Sequence, residues 1–237
     1  MMEQPVGPLV STEPAQFPTG VELHGQYTGL RRLDPSHSAS FFKHLGGEEN
    51  FWRWTYMMSS GFPTMEDCIQ SIQQWAEKSD PFFYSVFDGK LSDPTSEPVG
   101  MMSFMAAVPD HRRIEIGSVI LGGKLVKSRQ ATESFYLFIK HAIEDLGYQR
   151  VEWKANHLNA PSLAAATRLG FTFEGIFRKH MVIKGRRRDT AWYSITDDEW
   201  PAIKAGFELW LDKDNFDDSG KQKRTLQQCR MPTEQGS

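Results

Sequence analysis

Cysteine, charge of one sign and long apolar runs are all scarce in this chain, and each scarcity excludes a class of protein. Two cysteines, Cys68 and Cys229, are too few for a disulfide framework or a cysteine-based metal centre. They imply a reducing, cytoplasmic setting and no metal. No stretch is apolar for long enough to span a bilayer, and residues 1–20 lack the charged-then-apolar order of a secretion signal, so no membrane partner is expected. A net charge of −3, from 27 basic and 30 acidic residues, argues against a general nucleic-acid binder. No internal repeat is visible. What remains, 39% hydrophobic and 24% charged residues over 237 positions, suits one large globular domain.

Four prolines in the first eighteen residues disfavour regular structure, which predicts a disordered leader over 1–20. A strand is expected over 21–33. Asp34-Pro35 then opens a helix whose apolar side is Phe41, Phe42 and Leu45, stopped by Gly46-Gly47. The next connection crowds Phe51, Trp52, Trp54, Tyr56, Met57, Met58 and Phe62 together, too aromatic for a solvated loop. It is either a lid of core aromatics or a wall of a binding cleft. Thr64, Glu66 and Asp67 start a second helix carrying Cys68, Ile69, Ile72 and Trp75, ended by Pro81. Strands over 82–87 and 99–107 form a hairpin, and Pro109-Asp110-His111 turns the chain into a central strand.

Residues 112–171 read as a βαβα unit. Ile114, Ile116 and Val119, Ile120 and Leu121 suit a strand buried on both faces, ending at Gly122-Gly123. Phe135, Leu137, Phe138, Ala142, Ile143 and Leu146 make one helical stripe that closes near Gly147. The start of that helix follows Lys124, Lys127 and Arg129, so free amides, the positive helix end and three cations meet there. Either a phosphate binds at this point or Ser128 caps an ordinary loop with solvated cations. A second strand over 150–155 leads to Asn156, Asn159 and Ser162 and an alanine-rich helix closed by Gly170. Beyond it, strands over 171–183 and 188–195 flank a basic tip, Lys184-Gly185-Arg186-Arg187, which reads as a solvated turn. A last helix carries Trp200, Ile203, Phe207 and Trp210. Apolar residues thin out from Asp212, so the domain is expected over 21–211 and a disordered tail over 212–237.

In order, the chain shows E-x-G at 115–117, Thr132-Glu133, E-x-L-G at 144–147, V-E-x-x-x-N-x-x-N-x-x-S at 151–162 and L-G-F-x-x-E-G at 169–175. Phe177-Arg178, the run at 184–190, Tyr193-Ser194 and Glu199-Trp200 continue the series. This order resembles the GNAT superfamily of acyl-coenzyme A-dependent N-acyltransferases, and within it the RimJ/RimL-like ribosomal-protein N-terminal acetyltransferase branch. The resemblance implies an α/β fold with a mixed, mostly antiparallel twisted sheet of about seven strands flanked by helices, its central strands splayed into an acyl-CoA cleft. It implies acetyl-CoA as co-substrate and transfer of an acetyl group to a primary amine of a small molecule or peptide N-terminus. The protein would act as a monomer or homodimer, without nucleic acid. Its diphosphate site maps to Lys127, Ser128, Arg129, Gln130, Ala131 and Thr132, and its pantetheine site to Val119, Ile120, Leu121, Asn156, Asn159 and Ser162. The usual loop, Q/R-x-x-G-x-G/A, is matched here only by Ala131.

By the same resemblance Trp52, Trp54 and Tyr56 line the acceptor side. Glu115 is the candidate base, or else a structural partner of Arg112, Arg113 or Lys154, since facing is not fixed by alternation alone. His111 and His157 are lesser candidates. The tyrosine acid of many family members is replaced by Ala166, and Ser162 either serves near the sulfur or caps a helix. The altered loop and absent tyrosine leave a non-catalytic acyl-CoA-binding or interaction module as the alternative.

Overall fold

The computed structural model of the chain describes residues 4–231. Strands β1 (Leu23–His24), β2 (Gly29–Arg32), β3 (Phe82–Phe87), β4 (Pro98–Val108), β5 (Arg113–Leu121), β6 (Arg150–Asn156), β7 (Thr172–Ile183) and β8 (Arg186–Thr196) form one eight-stranded sheet. The order is β1-β2-β3-β4-β5-β6-β8-β7, and β5–β6 is its parallel pair. The α/β class and open mixed sheet agree with expectation.

Helices α1 (Ser38–Leu45) and α2 (Met65–Ala76) cover one face of the sheet, with Phe41, Leu45, Phe62 and Ile72 packed against Phe83, Met101 and Ile120. Helices α3 (Arg129–Lys140) and α5 (Trp200–Leu211) cover the other, where Phe138 and Phe207 meet Tyr84, Phe104, Ile114 and Ile116. α4 (Ala160–Leu169) follows β6 on the same side. The local signals act as read. Asp34 caps a 3-10 turn leading into α1, and Thr64 with Asp67 closes a capping box on α2. The α3 stripe runs on through a π-turn at His141–Asp145 to Gly147, at φ 79°. Among the described residues no helix is long and apolar enough to cross a membrane.

Two expectations change. The strand over 21–33 is two short strands, because the Glu133 carboxylate on α3 is buried against the turn between them. It accepts the backbone N–H groups of Gln26, Tyr27 and Thr28 at 2.7, 2.6 and 2.8 Å. A Cβ on Gly25 would lie 2.4 Å from that carboxylate, so glycine is required there. Glu133→Gln replaces one oxygen with a donor facing these donors. It is expected to lower the free energy of unfolding by about 2–3 kcal/mol, measured in urea. A change under about 0.5 kcal/mol would mean other contacts hold the turn.

The second correction concerns residues 212–231, which are ordered rather than disordered. A 3-10 turn at Lys213–Asn215 and helix α6 (Leu226–Arg230) pack onto α4 and α5 through Phe216, Leu226 and Cys229. Asn215 ties the segment down by donating to the carbonyls of Trp210 and Arg224. Few apolar residues suffice here because Phe216, Leu226 and Cys229 are all packed against the core. The last six residues of the expected tail and the first three of the leader lie outside the described residues.

Candidate active site

β5 and β6 pair from Arg113↔Arg150 to Ile116↔Trp153 and then part. Beyond that point β5 stays paired with β4, through Met101↔Ile120 and Gly100↔Leu121, so the edge of residues 117–121 facing β6 has no strand partner. The cause is one extra residue in β5: Ser103 pairs with Gly117 while Met101 pairs with Ile120, and Ser118 sits at φ 51°. Such a bulge bends its strand and resets which face each side chain meets. Before it, Ile114 and Ile116 face α3; after it, Val119 and Leu121 do, and Ile120 turns toward α1 and α2.

Glu115 therefore lies on the α1/α2 face, just before the strands separate, with 7% of its surface exposed. Lys154 Nζ donates to it at 2.9 Å, bonds Glu152 at 2.8 Å, and stands 4.1 Å from the centre of the Trp192 ring. Two carboxylates share one ammonium. Glu152 also receives Arg150 at 2.9 Å, and these hydrogen bonds outweigh its burial and hold it below the usual carboxylate range. Glu115 has less support. Burial pushes its carboxyl up, against the attraction of Lys154 and Arg188 and with the repulsion of Glu152. Of the alternatives open in the sequence, the structure pairs Glu115 with Lys154 and also leaves it the elevated carboxyl at the parting of the strands.

On the opposite face, Trp153 donates its indole N–H to Ser162 Oγ at 3.0 Å, which fixes that hydroxyl beside β6 with its own hydrogen uncommitted among the described residues. Ser162 is not the helix cap. Asn159 caps α4 by accepting Ser162 N–H, and Asn156 Oδ1 accepts Leu158 N–H to close the preceding turn. His111 stands in the exposed turn before β5, at the paired end of the strands, whereas His157 follows β6 with Nδ1 buried and unpartnered among the described residues. Ala166 is fully buried and offers no acid.

At the start of α3, Ser128 Oγ accepts Ala131 N–H and Ser128 O accepts Thr132 N–H. The amides of Ala131 and Thr132 are thus spent. Those of Lys127, Arg129 and Gln130 find no acceptor among the described residues, and these side chains line a cavity of about 430 Å³ with Tyr27, Trp210, Phe216, Gly220 and Gln222. Lys124 departs from expectation: it pairs with Asp88 at 2.6 Å and Glu97 at 3.4 Å, leaving Lys127 and Arg129 as the loop's available cations. An uncovered helix start with two cations fits a diphosphate.

The aromatic trio separates. Trp54 is a core residue, 2% exposed, packed on Phe62 and bonded to Leu45 O, and so is not part of an acceptor wall. Trp52 is 66% exposed beneath the Arg53 guanidinium. Tyr56 alone bridges toward the cleft, its hydroxyl donating to Leu158 O in the β6–α4 loop. Sequence reasoning named Lys154 among the possible partners of Glu115 but missed that Glu152 shares it; the alternation Glu152-x-Lys154 beside Glu115 on the neighbouring strand was the only trace of that sharing.

The sequence matches the model of the acetyltransferase (GNAT) domain over residues 28–172. Among solved structures, a GCN5-related N-acetyltransferase from Brucella melitensis superposes with TM-score 0.87 at 37% identity, covering 92% of this chain and 97% of its own. A GNAT-family structure from Chromobacterium violaceum gives 0.75 at 33% identity, covering 85% and 99%. An acetyl transferase from Salmonella typhimurium shares the fold at 19% identity and TM-score 0.62, covering 74% and 99%. A search of curated proteins finds no match.

Proposed function

We propose, from the premise that this chain belongs to the GNAT acetyltransferase family, that it transfers the acetyl group of acetyl-coenzyme A to a primary amine by direct attack in a ternary complex. The observation that carries this reading is the parting of β5 and β6 after Ile116 and Trp153, with Glu115 on one face and the Ser162 hydroxyl on the other. Amine acylation needs a proton removed on the acceptor side and one supplied on the thiol side. In this reading Glu115 serves the first step and Ser162 the second.

The free amides of Lys127, Arg129 and Gln130 would hold the diphosphate, and the unpaired edge of residues 117–121 would hold the pantetheine amides, with Asn156 and Asn159 at the opposite rim. Acetyl-coenzyme A, when bound, supplies the activated carbonyl. Glu115 accepts the amine proton directly or through water, and Ser162, held by Trp153, donates its hydroxyl hydrogen toward the departing sulfur. The acceptor is a small-molecule amine or a peptide N-terminus. The RimJ/RimL-like motif order supports the second, and the Salmonella typhimurium neighbour modifies the N-terminal serine of 50S ribosomal subunit protein L7/L12. The reaction needs no metal, nucleic acid or membrane, and a monomer or homodimer in the cytoplasm suffices for it.

Ser162→Ala is expected to lower turnover by about 10-fold or more while leaving the affinity for acetyl-coenzyme A within about twofold. Steady-state thiol release and calorimetry on one preparation separate the two effects. Unchanged turnover would take Ser162 out of the proton path.

A further inference from the structure

We propose that the segment following α5 is part of the coenzyme A site: Phe216 and Tyr27 clamp Arg129 and hold its charge against a phosphate of the cofactor. This rests on the reading above that the chain binds acetyl-coenzyme A. The Arg129 guanidinium lies 3.5 Å from the centre of the Phe216 ring and 4.6 Å from that of Tyr27. With two aromatic rings packed against it, a guanidinium loses rotamer freedom but keeps N–H donors for a phosphate. Among the described residues no carboxylate or carbonyl takes those donors, and Arg129 lines the cavity that also holds the free amides.

Both rings are held in place. Tyr27 is fixed by its backbone bond to Glu133 and by its hydroxyl, which donates to Leu211 O at 3.2 Å. Phe216 sits edge-on to Trp210 at 5.1 Å, and Trp210 donates to Gln222 Oε1 at 2.8 Å. One wall of the cavity is therefore the start of α3, and the other is Trp210, Phe216, Gly220 and Gln222. The second wall lies beyond the stretch that matches the family model, which ends at residue 172. It holds the Arg129 cation in place at a loop whose sequence lacks the family's glycines. Residues 212–222 thus act as a positioning element working through Arg129, and Phe216 itself need not touch the cofactor.

A double-mutant cycle read by calorimetry with coenzyme A tests this on the full chain. Arg129→Gln is expected to weaken binding by roughly 10-fold, and Phe216→Ala by roughly 5-fold. Phe216→Tyr, which keeps the ring, should bind like wild type. Adding Phe216→Ala to Arg129→Gln should cost nothing further, because the clamp then has nothing to hold. Should Phe216→Ala fail to fold in thermal denaturation, Tyr27→Leu removes the other ring and completes the same cycle. Additive losses, or a Phe216→Ala affinity within about twofold of wild type, would overturn the clamp while leaving the cofactor reading intact. A wild-type protein that does not bind coenzyme A overturns that reading and the clamp with it.

Discussion

Glu115→Gln is expected to lower the turnover of acetyl transfer by about 10²-fold to 10⁴-fold while leaving the affinity for acetyl-coenzyme A within about twofold. The substitution keeps shape and burial and removes only the ability to take a proton. The sign of the pH dependence follows from the site. Burial raises the Glu115 carboxyl, only partly opposed by Lys154 and Arg188, and Glu152 adds repulsion. The base must be ionised to act, so wild-type activity falls as pH falls through a value above the ordinary carboxylate range of about 4.3. The glutamine variant lacks that limb, and its deficit shrinks as pH approaches the acceptor amine's own pKa. Lys154→Met removes the neighbouring cation, which further disfavours the carboxylate and moves the limb to higher pH. Equal wild-type and Glu115→Gln rates across about pH 6–9 would show that the amine loses its proton elsewhere.

The double substitution Arg129→Glu with Gln130→Glu should weaken acetyl-coenzyme A binding by about 10²-fold or more. Two carboxylates would face the phosphates where a cation and a neutral amide now stand, beside the open amides of Lys127, Arg129 and Gln130. Helix-end amides favour anions, and nearby negative charge cancels that preference. Calorimetry gives the affinity, and thermal denaturation shows that the fold survives at this partly exposed site. Unchanged affinity would remove the loop from the site.

The sequence made the βαβα unit legible because its signals are local. The apolar stripe of α3, the capping residues Asp34 and Thr64 and the closing glycines Gly147 and Gly170 each act within a few residues. The misread features are tertiary. The break between β1 and β2 is imposed by Glu133, more than a hundred positions away in the chain. The family resemblance places Trp54 on the acceptor side, yet its neighbours Phe62 and Trp75 make it core. The tail from Asp212 holds few apolar residues, and nothing local reveals that Asn215 pins it to Trp210. The candidate site falls between these cases. Alternation alone could not say which way Glu115 faces relative to residues 119–121, because the bulge at Ser118 resets the faces within the strand. Its charge state was equally hidden, since it depends on Lys154 being shared with Glu152 across two strands.

Incubation of the purified protein with acetyl-coenzyme A and a panel of primary amines, small molecules and peptide N-termini together, tests acetyl transfer most directly. Free thiol is followed alongside the acetylated amine by mass spectrometry. Thiol release that depends on one class of amine, matched mole for mole by an acetyl group in amide linkage on that amine and suppressed in Glu115→Gln, is the expected result. Tight binding of acetyl-coenzyme A with thiol release no faster than in buffer across the whole panel would contradict it, and would mark the chain as a binding module rather than an enzyme.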